Sequence, residues 1–262
     1  MKLLVTGLNG TLAPVLAREA ASRGWSVIGW DRGATPPEDA AASQAWLEAQ
    51  RPDCIAHLAT GSVDWARQLA LHACRYSVPL VFTSTAMVFH HLPDGPHQAG
   101  DPRNSQEPYG QYKRECEDAI LAAHPGACIA RIGWQIDPER RGNNMLFALD
   151  QWQEREGRVS ASRAWRPACS FMEDTAAALL CLLKSPVAGV THVDSNADEG
   201  HEFAAIARAL KQVFDRPAWR IVENEDYAHD QRLAGGGALV PPLSARLAPL
   251  ERFNRPAFIE TP

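Results

Sequence analysis

The opening of the chain, from Met1 to Asp31, constrains the fold more than any other stretch. Lys2 to Thr6 is a short apolar run that breaks at Gly7-Leu8-Asn9-Gly10. From Leu12 to Ala21 apolar and small residues recur at helical spacing, and Gly24 supplies a C-terminal stop. A second apolar run, Trp25 to Trp30, ends at Asp31. Strand, glycine turn, helix and strand in that order make a βαβ unit. Two parallel strands joined this way belong to a sheet with helices on both faces.

The alternation continues. Ala41 to Gln50 reads as a helix stopped by Arg51-Pro52, Cys54 to Leu58 as a strand, and Trp65 to Tyr76 as a helix. Leu80 to Phe82 is a buried strand, Tyr109 to Ala123 a strong helix with Pro108 at its start, and Ala127 to Ile132 another strand. The segment from Asp31 to Ala41 is too short for a further strand and helix, so that corner of the sheet is trimmed. Past Gly133 the pattern loosens. Helices are expected over Asn143 to Arg155, Glu173 to Leu183 and Glu202 to Phe214, and strands over Val190 to Val193 and Trp219 to Val222. The tail is loop-rich, with Gly235-Gly236-Gly237 as a flexible connector or the hinge of a lid, then Pro241-Pro242.

The 262 residues allow one large α/β domain with a small appendage. A net charge of -5 gives no electrostatic reason for a nucleic-acid or membrane partner. The nearest thing to a basic run, Arg140-Arg141, reads as a solvated face. Six cysteines without a C-x-x-C pair read as free thiols of a reducing compartment. With no signal-peptide layout and no stretch of membrane-spanning length, the expected location is cytoplasmic.

Three constellations carry chemistry. At Thr6 to Ala13, Gly7 and Gly10 leave no side chain between the backbone and a pyrophosphate, and the following helix aims its free N–H groups at it. Asn9, Thr11 and Leu12 complete that turn. Asp31 stands at the offset of a carboxylate that binds an adenosine ribose, which favours NAD, and Arg32 beside it leaves NADP open. The alternative for Asp31 is a strand-end turn residue. Leu58, Ala59 and Thr60, at the end of the third strand, join the cofactor set. His57 just before them reads as a packing position. Second, Tyr109 and Lys113 lie one helical turn apart, where the ammonium is expected to lower the tyrosine pKa and make Tyr109 a proton donor to a carbonyl. Tyr112 reads as packing. Third, Thr85 ends a buried strand, where a hydroxyl can donate to a developing oxyanion or merely cap the strand end.

Taken together, these residues resemble the extended short-chain dehydrogenase/reductases, and within them the dTDP-4-dehydrorhamnose reductase group. The resemblance rests on Thr6 to Ala13, Ser84-Thr85-Ala86-Met87-Val88-Phe89, Tyr109-Gly110-Gln111-Tyr112-Lys113, Asn143-Asn144-Met145 and Gly189-Val190-Thr191-His192-Val193. It implies a Rossmann-type doubly wound parallel sheet with a small C-terminal substrate-binding part. Residues 1–135 and 170–195 would hold the dinucleotide, and 136–169 and 196–262 the substrate. It implies Thr85, Tyr109 and Lys113 as catalytic residues, with Tyr109 and Lys113 also in the cofactor-binding set and Lys113 on the cofactor ribose, and NAD or NADP as cofactor. Thr85, Ala86, Met87, Asn144 and Arg166 would contact a nucleotide-linked keto sugar.

The family usually has Asp-Tyr after the threonine, where this chain has Ala86-Met87. That departure bears on the substrate and keeps a non-sugar carbonyl open. It also argues against a dehydratase, which places an acidic pair there. An NAD-dependent sugar-nucleotide epimerase and a non-catalytic NAD(P)-binding regulatory protein are the alternatives. Many relatives are dimers, so a homodimer is allowed, although no feature fixes an interface. Arg163 and Arg166 read as a diphosphate clamp or as surface charge. Trp134, Trp152 and Trp165 read as core, with base stacking as the alternative. His90, His91 and His97 lack ligand spacing, so no metal is expected.

Overall fold

The computed structural model describes residues 1–139 and 142–252, so the Arg140-Arg141 pair lies outside the described residues. In chain order the elements begin β1 (Lys2–Thr6), α1 (Leu12–Ser22), β2 (Ser26–Gly29), α2 (Ala40–Gln50), β3 (Cys54–His57), α3 (Val63–Tyr76), β4 (Leu80–Thr85), α4 (Pro108–Ala123) and β5 (Cys128–Ile132). They continue as β6 (Trp134–Ile136), α5 (Met145–Glu156), β7 (Val159–Ser162), β8 (Trp165–Arg166), β9 (Cys169–Phe171), α6 (Met172–Lys184), β10 (Gly189–Val193), α7 (Phe203–Val213), β11 (Ile221–Asn224) and β12 (His229–Asp230).

The central sheet is parallel and six-stranded, in the order β2-β1-β3-β4-β5-β10. Alternation along β1 sets its two faces. Leu3 and Val5 point into one core with Leu16, Leu179 and Leu183, whereas Leu4 points into the other with Ile55, Trp65, Phe82 and Ile120. Helices α1 and α6 therefore cover one face, and α2, α3 and α4 the other, which is the doubly wound α/β arrangement expected. The trimmed corner is real: the sheet ends at β2, and the chain returns through α2 to β3 on the far side of β1. Strand order thus reverses at β1, and in open α/β sheets the crevice outside that point is where ligands bind.

A second core lies beyond β5. Ile136, Leu149, Val159, Phe171, Phe203, Leu210, Trp219, Leu243 and Leu250 pack together. Around them run three two-stranded ladders, β6 with β9, β7 with β11 and β8 with β12. Most of these strands escaped the sequence reading because they span two to four residues, too short for alternation to register. The triple glycine is packed at its centre rather than a free connector. Gly236 is buried, its carbonyl accepts from Asp194 N at 3.1 Å, and a Cβ there would meet the Asp194 Cβ at 2.8 Å. All six cysteines are free, with Cys54, Cys116, Cys128 and Cys169 buried. Among the described residues no helix is long and apolar enough to cross a membrane.

Candidate active site

A cleft of about 1560 Å³ runs along the C-terminal ends of β1, β3, β4 and β5 into the second core. Single small-molecule pockets hold about 300–1,000 Å³, so this cleft has room for two ligands side by side. Gly7, Asn9, Gly10, Thr11 and Leu12 line one end. Gly7 sits at φ +85°, and a Cβ there would stand 3.0 Å from Ala59 N. The glycine is therefore required by backbone conformation and by the close approach of the β3 end. Gly10 N donates to Gly7 O at 2.8 Å, closing the turn. Thr11 gives α1 no side-chain cap, so the first-turn N–H groups are not consumed by that residue.

Thr6 and His57 lock the floor. Thr6 Oγ1 accepts from Leu58 N at 3.0 Å and Ala59 N at 3.1 Å, so its own proton goes to His57 Nδ1, 2.8 Å away. That fixes His57 as a neutral imidazole with its proton on Nε2. Burial, more than the nearby Lys113 and Arg32 charges, pushes its pKa down to about 3. His57 is a packing position, as the sequence reading holds.

Asp31, Arg32, Leu58, Ala59 and Thr60 also line this end. Asp31 Oδ1 accepts from Gly33 N at 2.8 Å and Ala34 N at 3.4 Å, so the carboxylate that faces the cleft also holds its own turn. Arg32 folds across the gap, donates to Thr60 O and lies 4.9 Å over the Trp65 ring.

Helix α4 brings Tyr109 and Lys113 to the middle of the same cleft, opposite Thr85 from the end of β4. Lys113 is 2% exposed. Its Nζ donates to Thr83 O at 2.8 Å and lies 4.5 Å over the Phe82 ring. Burial pulls its pKa down to about 8, against smaller upward effects of Cys116 and Glu117. Tyr109 departs from expectation: burial raises its pKa rather than Lys113 lowering it. The ammonium is held by the Thr83 carbonyl, 5.8 Å from the Tyr109 ring centre, and does not offset the water lost around the phenol. Thr85 does cap its strand end, accepting from Met87 N at 3.2 Å. An accepting hydroxyl still has its proton to donate, and Thr85 lines the cleft. Tyr112 packs nearby and accepts from Gly61 N at 3.0 Å.

Glu117 belongs to this site as well, although no sequence motif singles it out. It lies one further turn along α4, so Tyr109, Lys113 and Glu117 share one face; their spacing of four was the available signal. Glu117 is fully buried and accepts from Ser84 Oγ, from Arg131 Nε and Nη2 at 3.0 and 2.8 Å, and from Arg103 at 3.2 Å. Ser84 stands between Thr83, whose carbonyl holds Lys113, and Thr85. The carboxylate thus anchors the strand end that carries both.

At the other end of the cleft the expectations divide. Ala86 and Met87 line it, Met87 being well exposed. Asn144 does not: it is buried, and its Oδ1 accepts from Phe147 N at 3.1 Å as the cap of α5, while its neighbour Asn143 faces the cleft. Arg166 is exposed and outside the cleft wall, because in the two-residue β8 its side chain points away from that of Trp165. Arg163 pairs with Glu225 at 2.9 Å on the surface. Trp134, Trp152 and Trp165 pack on the second core and also line the cleft, with Phe203 among them. His97 is buried against His229, Nε2 to Nε2 at 3.1 Å, and no group of three or more metal-ligating side chains is placed to hold an ion among the described residues.

Comparison with known proteins agrees with this geometry. The family model described as the RmlD substrate binding domain matches residues 62–228. The dTDP-4-dehydrorhamnose reductase of Mycobacterium tuberculosis is 26% identical over 226 residues, covering 76% of this chain and 70% of that protein. A dTDP-4-dehydrorhamnose reductase structure from Clostridium acetobutylicum superposes with a TM-score of 0.79 at 18% identity, covering 97% of this chain and 99% of the other. The Bacillus anthracis enzyme of the same name, in complex with NADP, gives 0.76 at 19% identity over 96% and 98% of the two chains. With more than half its length matched and the same fold, the chain belongs to the RmlD substrate binding domain family, the extended short-chain dehydrogenase/reductase-like family of the dTDP-4-dehydrorhamnose reductases.

Proposed function

We propose that this protein is an NAD(P)-dependent reductase that acts on the carbonyl of a nucleotide-linked keto sugar, the class of substrate named for its relatives. One observation carries the reading: Thr85, Tyr109 and Lys113 line a single cleft with the Gly7–Gly10 turn. The glycine cradle, which a Cβ at Gly7 would fill, fits a dinucleotide pyrophosphate. A bound reduced nicotinamide supplies the hydride. The chain's residues do the rest. Thr85 donates to the carbonyl oxygen as charge gathers there, and Tyr109 gives that oxygen its proton. Lys113, held by Thr83 O in the same cleft wall, supplies the ammonium that can hold the nicotinamide ribose beside Tyr109. Asp31 and Arg32 flank the adenosine end.

In this reading residues 1–135 and 170–195 hold the cofactor, and residues 136–169 and 196–262 the substrate. The location is cytoplasmic, and light scattering decides whether the assembly is a homodimer. One observation favours a second reading, reduction of a carbonyl that carries no nucleotide. Among the described lining residues the only cations are Arg32 and Lys113, both beside the ends of β2 to β4, and Met87 stands in the cleft where the family has a polar residue. The test is loss of reduced-nicotinamide absorbance with NADPH or NADH and a dTDP-4-keto-6-deoxy sugar. Tyr109→Phe is expected to lower kcat by about 10²- to 10⁴-fold, with cofactor affinity unchanged. Net cofactor oxidation separates a reductase from an epimerase. Turnover only on carbonyls lacking a nucleotide selects the second reading, and cofactor binding with no turnover on any carbonyl refutes both.

A further inference from the structure

Tyr227 belongs to the wall of the cleft at the end remote from the glycine turn. Although partly exposed, it is held at several points. Its ring stands edge-on to Trp165, with centres 5.4 Å apart and planes at 84°. Its backbone carbonyl accepts from Ser162 Oγ at 2.6 Å. Its phenol oxygen lies 3.0 Å from His229 Nδ1, and His229 Nε2 lies 3.1 Å from His97 Nε2. His97 is in turn stacked on Phe89, with ring centres 4.3 Å apart. The segment that carries His97 is stitched to the chain after β12: His97 N donates to Arg232 O at 2.8 Å, and Ala234 N donates to His97 O at 2.9 Å. Both imidazoles are buried, and burial is the main cause that holds their pKa values down.

Two neutral imidazoles meeting Nε2 to Nε2 hold one proton between them. If His97 carries it, His229 has its own proton on Nδ1 and donates it to the phenol oxygen; the phenol proton then points elsewhere, available to a ligand. If His229 carries it, Nδ1 is bare and takes the phenol proton, and the phenol oxygen presents only lone pairs. A tautomer shift in the pair therefore turns Tyr227 from donor to acceptor without moving a heavy atom. A group held in this way can meet a hydroxyl, a carbonyl or an amide of a ligand at little conformational cost.

We propose that Tyr227, oriented by His229 and His97, is a specificity residue of this cleft: its phenol hydrogen-bonds an uncharged polar group of the carbonyl substrate, away from the reacting carbonyl, beside the Trp165 ring. The proposal rests on the reductase reading above. His229 and His97 act through Tyr227 and are positioning residues.

The test is a ligand titration followed by the fluorescence of the wall tryptophans, with reduced cofactor present so that a probe lacking the keto group accepts no hydride and no turnover occurs. The probe is a dTDP-6-deoxy sugar. Tyr227→Phe keeps the ring against Trp165 and removes only the hydroxyl, so it is expected to weaken binding of the probe roughly 3- to 10-fold, with cofactor affinity unchanged. His229→Gln is expected to weaken binding in the wild-type background and to add nothing in the Tyr227→Phe background, a non-additivity that a merely structural role does not produce. Should His229→Gln fail to fold, Tyr227→Phe still decides. Wild-type binding left intact by Tyr227→Phe overturns the assignment alone. Wild type that neither binds the probe nor turns over its keto form overturns the sugar-nucleotide reading and this proposal with it.

Discussion

Replacing Lys113 by Met is expected to stabilise the fold while removing the ammonium that the proposed mechanism uses. The ammonium is 2% exposed, and burial brings its pKa from 10.5 to about 8. A drop of that size corresponds to about 3 kcal/mol by which the folded state disfavours the charged lysine relative to the unfolded chain. Methionine keeps an unbranched apolar stem of similar reach and carries no charge. Against this gain stand the hydrogen bond to Thr83 O and the contact with the Phe82 face, worth together about 1–2 kcal/mol. The net expectation is a gain of about 1–2 kcal/mol at neutral pH, or about 2–8 °C in Tm. The pH dependence gives the sharper check. Below pH 8 both states are protonated and the whole penalty is present. Between pH 8 and 10.5 the unfolded chain binds more protons than the folded one, so the wild type gains stability as pH rises and the advantage of the variant shrinks. Urea titrations of both proteins at neutral pH and near pH 10 measure this difference, and groups common to both cancel. A difference that is flat across that range, or a variant that is less stable at pH 7, refutes the reasoning.

Two other substitutions separate structure from binding. Glu117→Ala leaves Arg131 buried without its carboxylate and is expected to cost about 3–5 kcal/mol in denaturant melts; a loss below about 1 kcal/mol contradicts the role of that pair. Gly7→Val forces a β-branched side chain to φ +85° and against Ala59 N, so NADPH and NADH affinity, read by fluorescence titration, is expected to fall more than about tenfold while far-ultraviolet circular dichroism stays native; unchanged affinity removes the turn from the cofactor site.

The sheet was legible because its signals are local and long. Helix α3, read over Trp65 to Tyr76, forms over Val63–Tyr76, and α4 misses by one residue, since an apolar stripe over several turns leaves little choice. Gly7, Asp31, Thr85, Tyr109 and Lys113 reach one cleft because each stands at the C-terminal end of a strand or in the first turns of a helix. What could not be read depends on contacts between distant residues. Ser84 and Glu117 are 33 positions apart, and His97 and His229 are 132 apart. Asn144 and Asn143 are chemically identical neighbours, and only the start of α5 decides which one caps and which faces the cleft. The raised pKa of Tyr109 follows from how much water its wall excludes, a property that four-residue spacing does not encode.

The way the second core interrupts the sheet has a consequence for biogenesis. Everything from β6 to β9 leaves the chain between β5 and α6, so β5 has no partner on its outer edge until Val193 has emerged from the ribosome. The second core, for its part, waits for Leu243 and Leu250. A nascent chain shorter than that displays both an open strand edge and an unfilled apolar face, the two features that attract other unfolded chains. Neither part has a stretch of sequence to itself in which to finish, so the two mature together at the end of synthesis. A fragment cut after Gly133 would carry the glycine turn, Thr85, Tyr109 and Lys113 and still lack the strand that closes its sheet.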